Sequence, residues 1–170
     1  MATVIELAAA GIIQRLDPQL DYDEQELRTI YLAPRVAEFL GDVLPSLESF
    51  FDKETTAQQD FDELISVYAS GLPLVFDTQF KAFRRRCFDS LQGGVWYLKT
   101  ADLRIFGWFP AKDCFLAAIP DTFENVKTLE LYEGRRNEVI HYRNQINLNE
   151  PKFIPGDNPN AVVSNFAFSD

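Results

Sequence analysis

The chain has 170 residues, is 46% hydrophobic and 14% aromatic, and carries a formal net charge of −10. That composition excludes a disordered chain, and no apolar run reaches the ~18 residues of a membrane span. One His and two Cys, with neither metal nor redox spacing, exclude a His-rich or paired-Cys metal centre.

Residues 3–15 have high helix propensity and are expected to form a first helix, ended by Asp17-Pro18. A second is expected over 23–32, with acidic residues in its first turn. Pro34 opens a third, to about Leu44, and Pro45 a short fourth ending near Phe51. Residues 53–59 read as a polar loop. Phe61, Leu64, Ile65 and Tyr68 recur at helical spacing, stopped by Gly71 and Pro73. This reading makes residues 1–76 an acidic, all-helical region. It holds four basic residues (Arg15, Arg28, Arg35, Lys53) against fourteen acidic ones, so it carries the whole imbalance of −10.

Residues 77–170 hold twelve basic and twelve acidic residues. Asp77 is placed to cap a helix running to about Leu91, before Gly93-Gly94. Three β-rich runs follow, 95–100, 103–109 and 114–119, separated by turn-length gaps; they read as a three-stranded antiparallel meander. Asp121 to Glu124 resembles a capping box, and a last helix is expected over 136–147 after an interruption at Gly134. The tail from Asn149 contains Pro151, Pro155 and Pro159 and reads as an irregular strap, docked by Phe153, Ile154, Phe166 and Phe168. The fold class expected is α+β: a helical N-terminal half, then a helix, the meander and C-terminal helices, forming an α+β core with a long tail over 77–170.

No phosphate-binding loop, dinucleotide fingerprint or nucleophile elbow is present, so no cofactor is expected. Cys87 and Cys114 read as reduced, buried thiols of a cytoplasmic protein; no Lys or Arg precedes Arg15, so no signal peptide is expected. On a helical wheel His141 lies with Glu138 and Gln145, opposite Val139 and Ile146, which makes it a surface residue. In the basic run 81–86, Arg84 falls inside the apolar stripe of Phe80, Phe83, Cys87, Phe88 and Leu91. It either pairs with an acidic residue of the first half or faces a phosphate, with Lys81 and Arg85 beside it. Arg104, Phe106 and Trp108 share one strand face, with Lys99 close by. Basic residues interleaved with aromatics suit single-stranded RNA, and they also suit a core hairpin with one edge charge; the core reading is preferred for Trp108 and Arg104 stays open.

The run Gly94-Val95-Trp96-Tyr97-Leu98-Lys99, followed by Asp102-Leu103-Arg104-Ile105-Phe106, resembles the RelE/ParE superfamily of small bacterial and phage toxins over about residues 75–119. The resemblance implies a metal-independent endoribonuclease acting on translation, or a gyrase poison, neutralised by an antitoxin-like protein partner. In the ribonuclease branch Lys81, Arg84, Lys99 and Arg104 take the catalytic roles. Arg85, Trp108 and Tyr142 take binding roles, with His141 as an alternative late residue.

Two main functions stand against each other. One is a RelE-like toxin acting on RNA or the ribosome, its basic site shielded or silenced by the acidic half. The other is a non-enzymatic inhibitor or adaptor, phage- or mobile-element-borne, whose acidic face mimics nucleic acid to occupy a nucleic-acid-binding protein. A third is an ordinary interaction protein of a mobile element. None involves a membrane or a metal.

Overall fold

Along Val95–Lys99, Leu103–Ala111 and Cys114–Thr122 the side chains alternate between two buried environments, so both faces of these strands are covered. The computed structural model describes residues 1–76 and 88–168. Its helices are α1 (Val4–Ala9), α2 (Pro34–Asp42), α3 (Ala57–Ala69), α4 (Phe123–Thr128), α5 (Tyr132–Gln145) and α6 (Pro159–Val162). Its strands are β1 (Gln14–Arg15), β2 (Thr29–Leu32), β3 (Leu74–Phe76), β4 (Phe88–Leu91), β5 (Val95–Lys99), β6 (Leu103–Ala111), β7 (Cys114–Thr122) and β8 (Phe166–Phe168).

Among the described residues these strands form one mixed sheet in the order β1-β2-β7-β6-β5-β4-β3-β8. The pairs β2–β7, β3–β4 and β3–β8 are parallel, the others antiparallel. One face packs Trp96, Leu98, Ile105, Phe109 and Phe115 against Val36 of α2 and Phe61, Ile65 and Tyr68 of α3. The other packs Tyr97, Phe106, Trp108 and Leu116 against Leu7 of α1, Val126 of α4 and Val139 of α5. The result is three layers, with helices on both sides of the sheet.

Local chemistry fixes the details. Thr56 and Gln59 form a reciprocal capping box at the start of α3, and Pro34 pre-sets the first turn of α2. The ladder of β6 and β7 shifts register at Phe106/Gly107. Only Gly fits there, because a Cβ on Gly107 would lie 2.0 Å from the Leu116 carbonyl oxygen. The tail straps both faces, Phe153 packing on the second and Ile154, Val162 and Val163 on the first: Ile154 N–H donates to the Phe109 carbonyl at 2.9 Å, and Trp108 Nε1 donates to the Lys152 carbonyl at 2.9 Å. Gly94, at φ +70°, leaves room for the Phe153 ring, which a Cβ would meet at 2.5 Å.

The fold expected from sequence needs correction. The sheet is far larger than a three-stranded meander, and β5, β6 and β7 are only its middle. The N-terminal half is not all-helical, since it contributes β1, β2 and β3. The helix expected over 23–32 is instead a loop followed by β2. Its Thr-Ile-Tyr-Leu run is β-branched and aromatic, and it suits a parallel strand buried on both faces. The first helix ends at Ala9 rather than at residue 15. The helix expected to reach Leu91 does not, because Phe88–Leu91 is β4, antiparallel to β5. Residues 81–86, with Lys81, Arg84 and Arg85, lie outside the described residues, as does Cys87. Gly134 is accommodated inside α5 rather than interrupting it, and the cap of α4 is Thr122 rather than Asp121.

Candidate functional site

The described residues of the basic-aromatic site lie on one sheet face, the one covered by α4 and α5. Lys99 and Arg104 are direct cross-strand partners of β5 and β6. Lys99 Nζ sits 2.7 Å from Asp89 Oδ2, which also accepts the Tyr97 hydroxyl at 3.2 Å. The Lys99 ammonium lies 5.5 Å from the centre of the Tyr97 ring. Arg104 Nη1 donates to the carbonyls of Thr100 (2.6 Å) and Leu103 (2.7 Å), and Nε to the Tyr132 hydroxyl (3.2 Å). Its guanidinium lies 4.7 Å over the Phe123 ring. Burial, reinforced by the Asp89 charge, pushes the Tyr97 phenol far up, so it keeps its proton and serves as a donor.

Trp108 is fully buried, and its ring packs 6.0 Å from that of Tyr142. Tyr142 is half-buried and lines a largely apolar pocket of about 620 Å³ with Arg35, Glu138 and the exposed His141. Arg35 reaches Glu138 at 3.2 Å; Arg135 reaches Glu138 at 2.6 Å and Asp121 at 2.8 Å, so an ion-pair chain links α2, α5 and β7. Thus Lys99, Arg104, Trp108 and Tyr142 share a face, but the polar groups of Lys99, Arg104 and Trp108 are engaged by the fold's own carboxylate, carbonyls and a hydroxyl. A phosphate here would have to displace Asp89 from Lys99.

The opposite, α2–α3 side is built differently. A groove of about 530 Å³ runs between α2, α3 and the segment after β1, with Leu16, Leu40, Phe61 and Ile65 in its walls and Asp17 and Asp62 exposed at its edge. All four basic residues of 1–76 are committed to carboxylates. Arg15 pairs with Glu26, Arg28 with Asp113, Arg35 with Glu138, and Lys53 with both Asp60 and Asp102. Burial alone would lower the Lys53 pKa, but its bonds to Asp60 and Asp102 outweigh this and raise it. Twelve of the fourteen carboxylates of this half are exposed, among them Asp17, Asp21, Asp23, Glu24, Glu38, Asp42 and Asp62.

Sequence reasoning counted this charge but missed the groove, which exists only once β2 pairs with β7 and seats α2 beside α3. Arg28 was also missed as a structural centre. The available signal was a lone guanidinium at the head of the β-prone run Thr29-Ile30-Tyr31-Leu32. Among the described residues no cluster of His, Cys, Asp and Glu is placed to hold a metal, and no helix is long and apolar enough to cross a membrane. Cys114 is a buried free thiol whose pKa burial raises.

These features define an acidic α+β protein with helices on both faces of a mixed sheet. Comparison with protein-family models, curated proteins and solved structures found no match.

Proposed function

We propose that this protein is a non-enzymatic, cytoplasmic binding protein whose acidic α2–α3 face engages a basic, nucleic-acid-binding protein. One observation carries the reading: every cation of residues 1–76 is paired, while twelve of its fourteen carboxylates stay exposed, Asp17 and Asp62 among them at the edge of a groove whose walls mix polar and apolar side chains. Unneutralised carboxylates steer a basic partner, and the apolar side chains within the groove, Leu16, Leu40, Phe61 and Ile65, supply contact area that charge alone lacks.

The test is calorimetric titration with an amphipathic helical peptide bearing Leu on one face and Arg on the other. Binding is expected to weaken about tenfold in Asp17→Lys/Asp62→Lys and much less in Glu130→Lys/Asp157→Lys, which makes the same charge change away from the groove. Equal weakening in both pairs would reduce the effect to net charge and overturn the reading.

The second reading, a RelE-like endoribonuclease, draws support from the Lys99–Arg104 cross-strand pair beside Tyr97 and Tyr132. It requires Lys81, Arg84 and Arg85 to complete a phosphate cradle there. Cleavage of labelled RNA that is lost in Arg104→Ala would favour it over the binding reading.

A further inference from the structure

Away from the groove, three phenylalanines form an outward-facing cluster that the core does not absorb. Phe50 is 55% exposed and Phe51 41% exposed, and Phe123 is half-buried. The Phe51 and Phe123 rings stack at 5.4 Å, while Phe50 stands edge-on to Phe51 at 5.3 Å. Such rings belong in a core unless something holds them out.

Asp102, itself only 3% exposed, holds them. Its Oδ1 accepts the Phe50 N–H and the Ser49 hydroxyl, each at 3.0 Å, and Ser49 Oγ accepts the Phe51 N–H at 3.1 Å. Its carbonyl accepts the Phe123 N–H at 2.8 Å. Its Oδ2 pairs with Lys53 at 3.0 Å. One buried residue therefore fixes both chain segments that carry the rings. Little ordering entropy remains to be lost when a partner lands on them.

The surrounding charge selects the partner. Glu48, Asp52, Glu54 and Glu124 flank the rings in sequence and are exposed, whereas the intervening Lys53 turns its ammonium inward to Asp60 and Asp102. Aromatic faces bordered by carboxylates attract guanidinium groups and repel phosphates. The Phe123 ring already takes one guanidinium, that of Arg104. We propose that Phe50 and Phe51, backed by the Phe123 ring, form a pre-set seat for arginine side chains of a protein partner. This rests on the basic-partner reading and adds a second, separate contact with a stated residue preference.

The test uses the same Leu/Arg peptide and a version with Lys in place of every Arg. The variant Phe50→Leu/Phe51→Leu keeps apolar surface but removes the ring faces, and thermal melting verifies that it is folded. The wild type is expected to prefer the Arg peptide severalfold, and the variant to bind it about tenfold more weakly with that preference erased. A folded variant with unchanged affinity and preference overturns the seat. So does tighter binding of oligouridine to the wild type that the variant loses, which would mark a nucleobase platform. If Asp17→Lys/Asp62→Lys weakens the peptide while the Leu variant does not, the seat alone falls. If only the Leu variant weakens it, the groove alone falls. A wild type that binds neither peptide removes both.

Discussion

Each face of the sheet has a buried arginine beside it, and the two are solvated by the protein in opposite ways. Arg28, 1% exposed, donates through Nη1 to the carbonyls of Tyr68 and Leu72, both at 2.9 Å. Through Nη2 it donates to those of Ser164 (2.7 Å) and Asn165 (3.0 Å). Its Nε lies 3.6 Å from Asp113 Oδ1. Arg143, 5% exposed, donates once, from Nη2 to the Gly93 carbonyl at 2.9 Å, and stacks 3.6 Å over Phe153. Among the described residues its Nε and Nη1 have no hydrogen-bond partner. The first cation replaces its hydration shell almost completely; the second replaces a fraction of it. Burial of a charge is structural glue only in the first case.

The comparison implies very different costs of removal. Arg28 ties together the segment after α3, the turn between β6 and β7, and the segment before β8. Arg28→Ala is expected to lose about 3–5 kcal/mol in urea denaturation, because four carbonyls and Asp113 are left behind. Arg28→Lys should recover only part of this, since a single ammonium cannot span that fork of acceptors. A loss below about 1 kcal/mol for Arg28→Ala would break the comparison at its strong end.

Neither arginine was legible in its role from sequence, and the reason is instructive. Alternation places strands at 95–100, 103–109 and 114–119, because turn-length gaps separate strongly patterned runs, and the structure has strands there at Val95–Lys99, Leu103–Ala111 and Cys114–Thr122. β1 and β3 span only two and three residues, too few for any period, and β2 was overridden by acidic residues that suit a helix start. Without those strands the sheet has no second half, so the groove and the Arg28 acceptors, which come from segments some 40 and 136 residues away, have no location. Lys99 and Arg104 were visible as cross-strand neighbours, since register follows from the hairpin. Their partners Asp89 and Tyr132 were not, because Asp89 was assigned to a helix rather than to β4. Local pattern reports which residues share a face, while pairing at a distance decides which charges are neutralised.

A smaller effect sharpens the contrast between buried and exposed electrostatics. Burial would raise the Glu138 pKa, but hydrogen bonds and charge from Arg135 and Arg35 outweigh this and lower it. A lowered carboxylate pKa contributes stability that is present above the ordinary Glu value of 4.5 and lost as pH falls through the depressed folded value. With the Glu138 side chain 37% exposed, solvent screening limits the contribution to roughly 0.5 kcal/mol. Glu138→Gln should therefore reduce stability slightly at pH 7 and flatten its decline below pH 4.5, read from urea midpoints across pH. An unchanged acid limb would mean that the α2–α5 ion pairs do not form in solution.

The smallest expected effect tests the weak end of the comparison. Arg143→Met keeps the length and apolar stem that pack over Phe153 while removing the charge. The substitution gives up the cation–π contact and the bond to the Gly93 carbonyl, together worth about 1–3 kcal/mol. It also removes the desolvation penalty of a guanidinium with two unmet donors, which is of similar size and opposite sign. Burial lowers the Arg143 pKa, the same penalty expressed as proton affinity. The two contributions cancel to within about 1 kcal/mol, so Arg143→Met is expected to leave the urea midpoint close to wild type, whereas Arg28→Met collapses it. A loss approaching that of Arg28→Ala would show that Nε and Nη1 are satisfied in solution by water or an anion. Arg143 would then be a second fully solvated cation, and the asymmetry between the two faces would disappear.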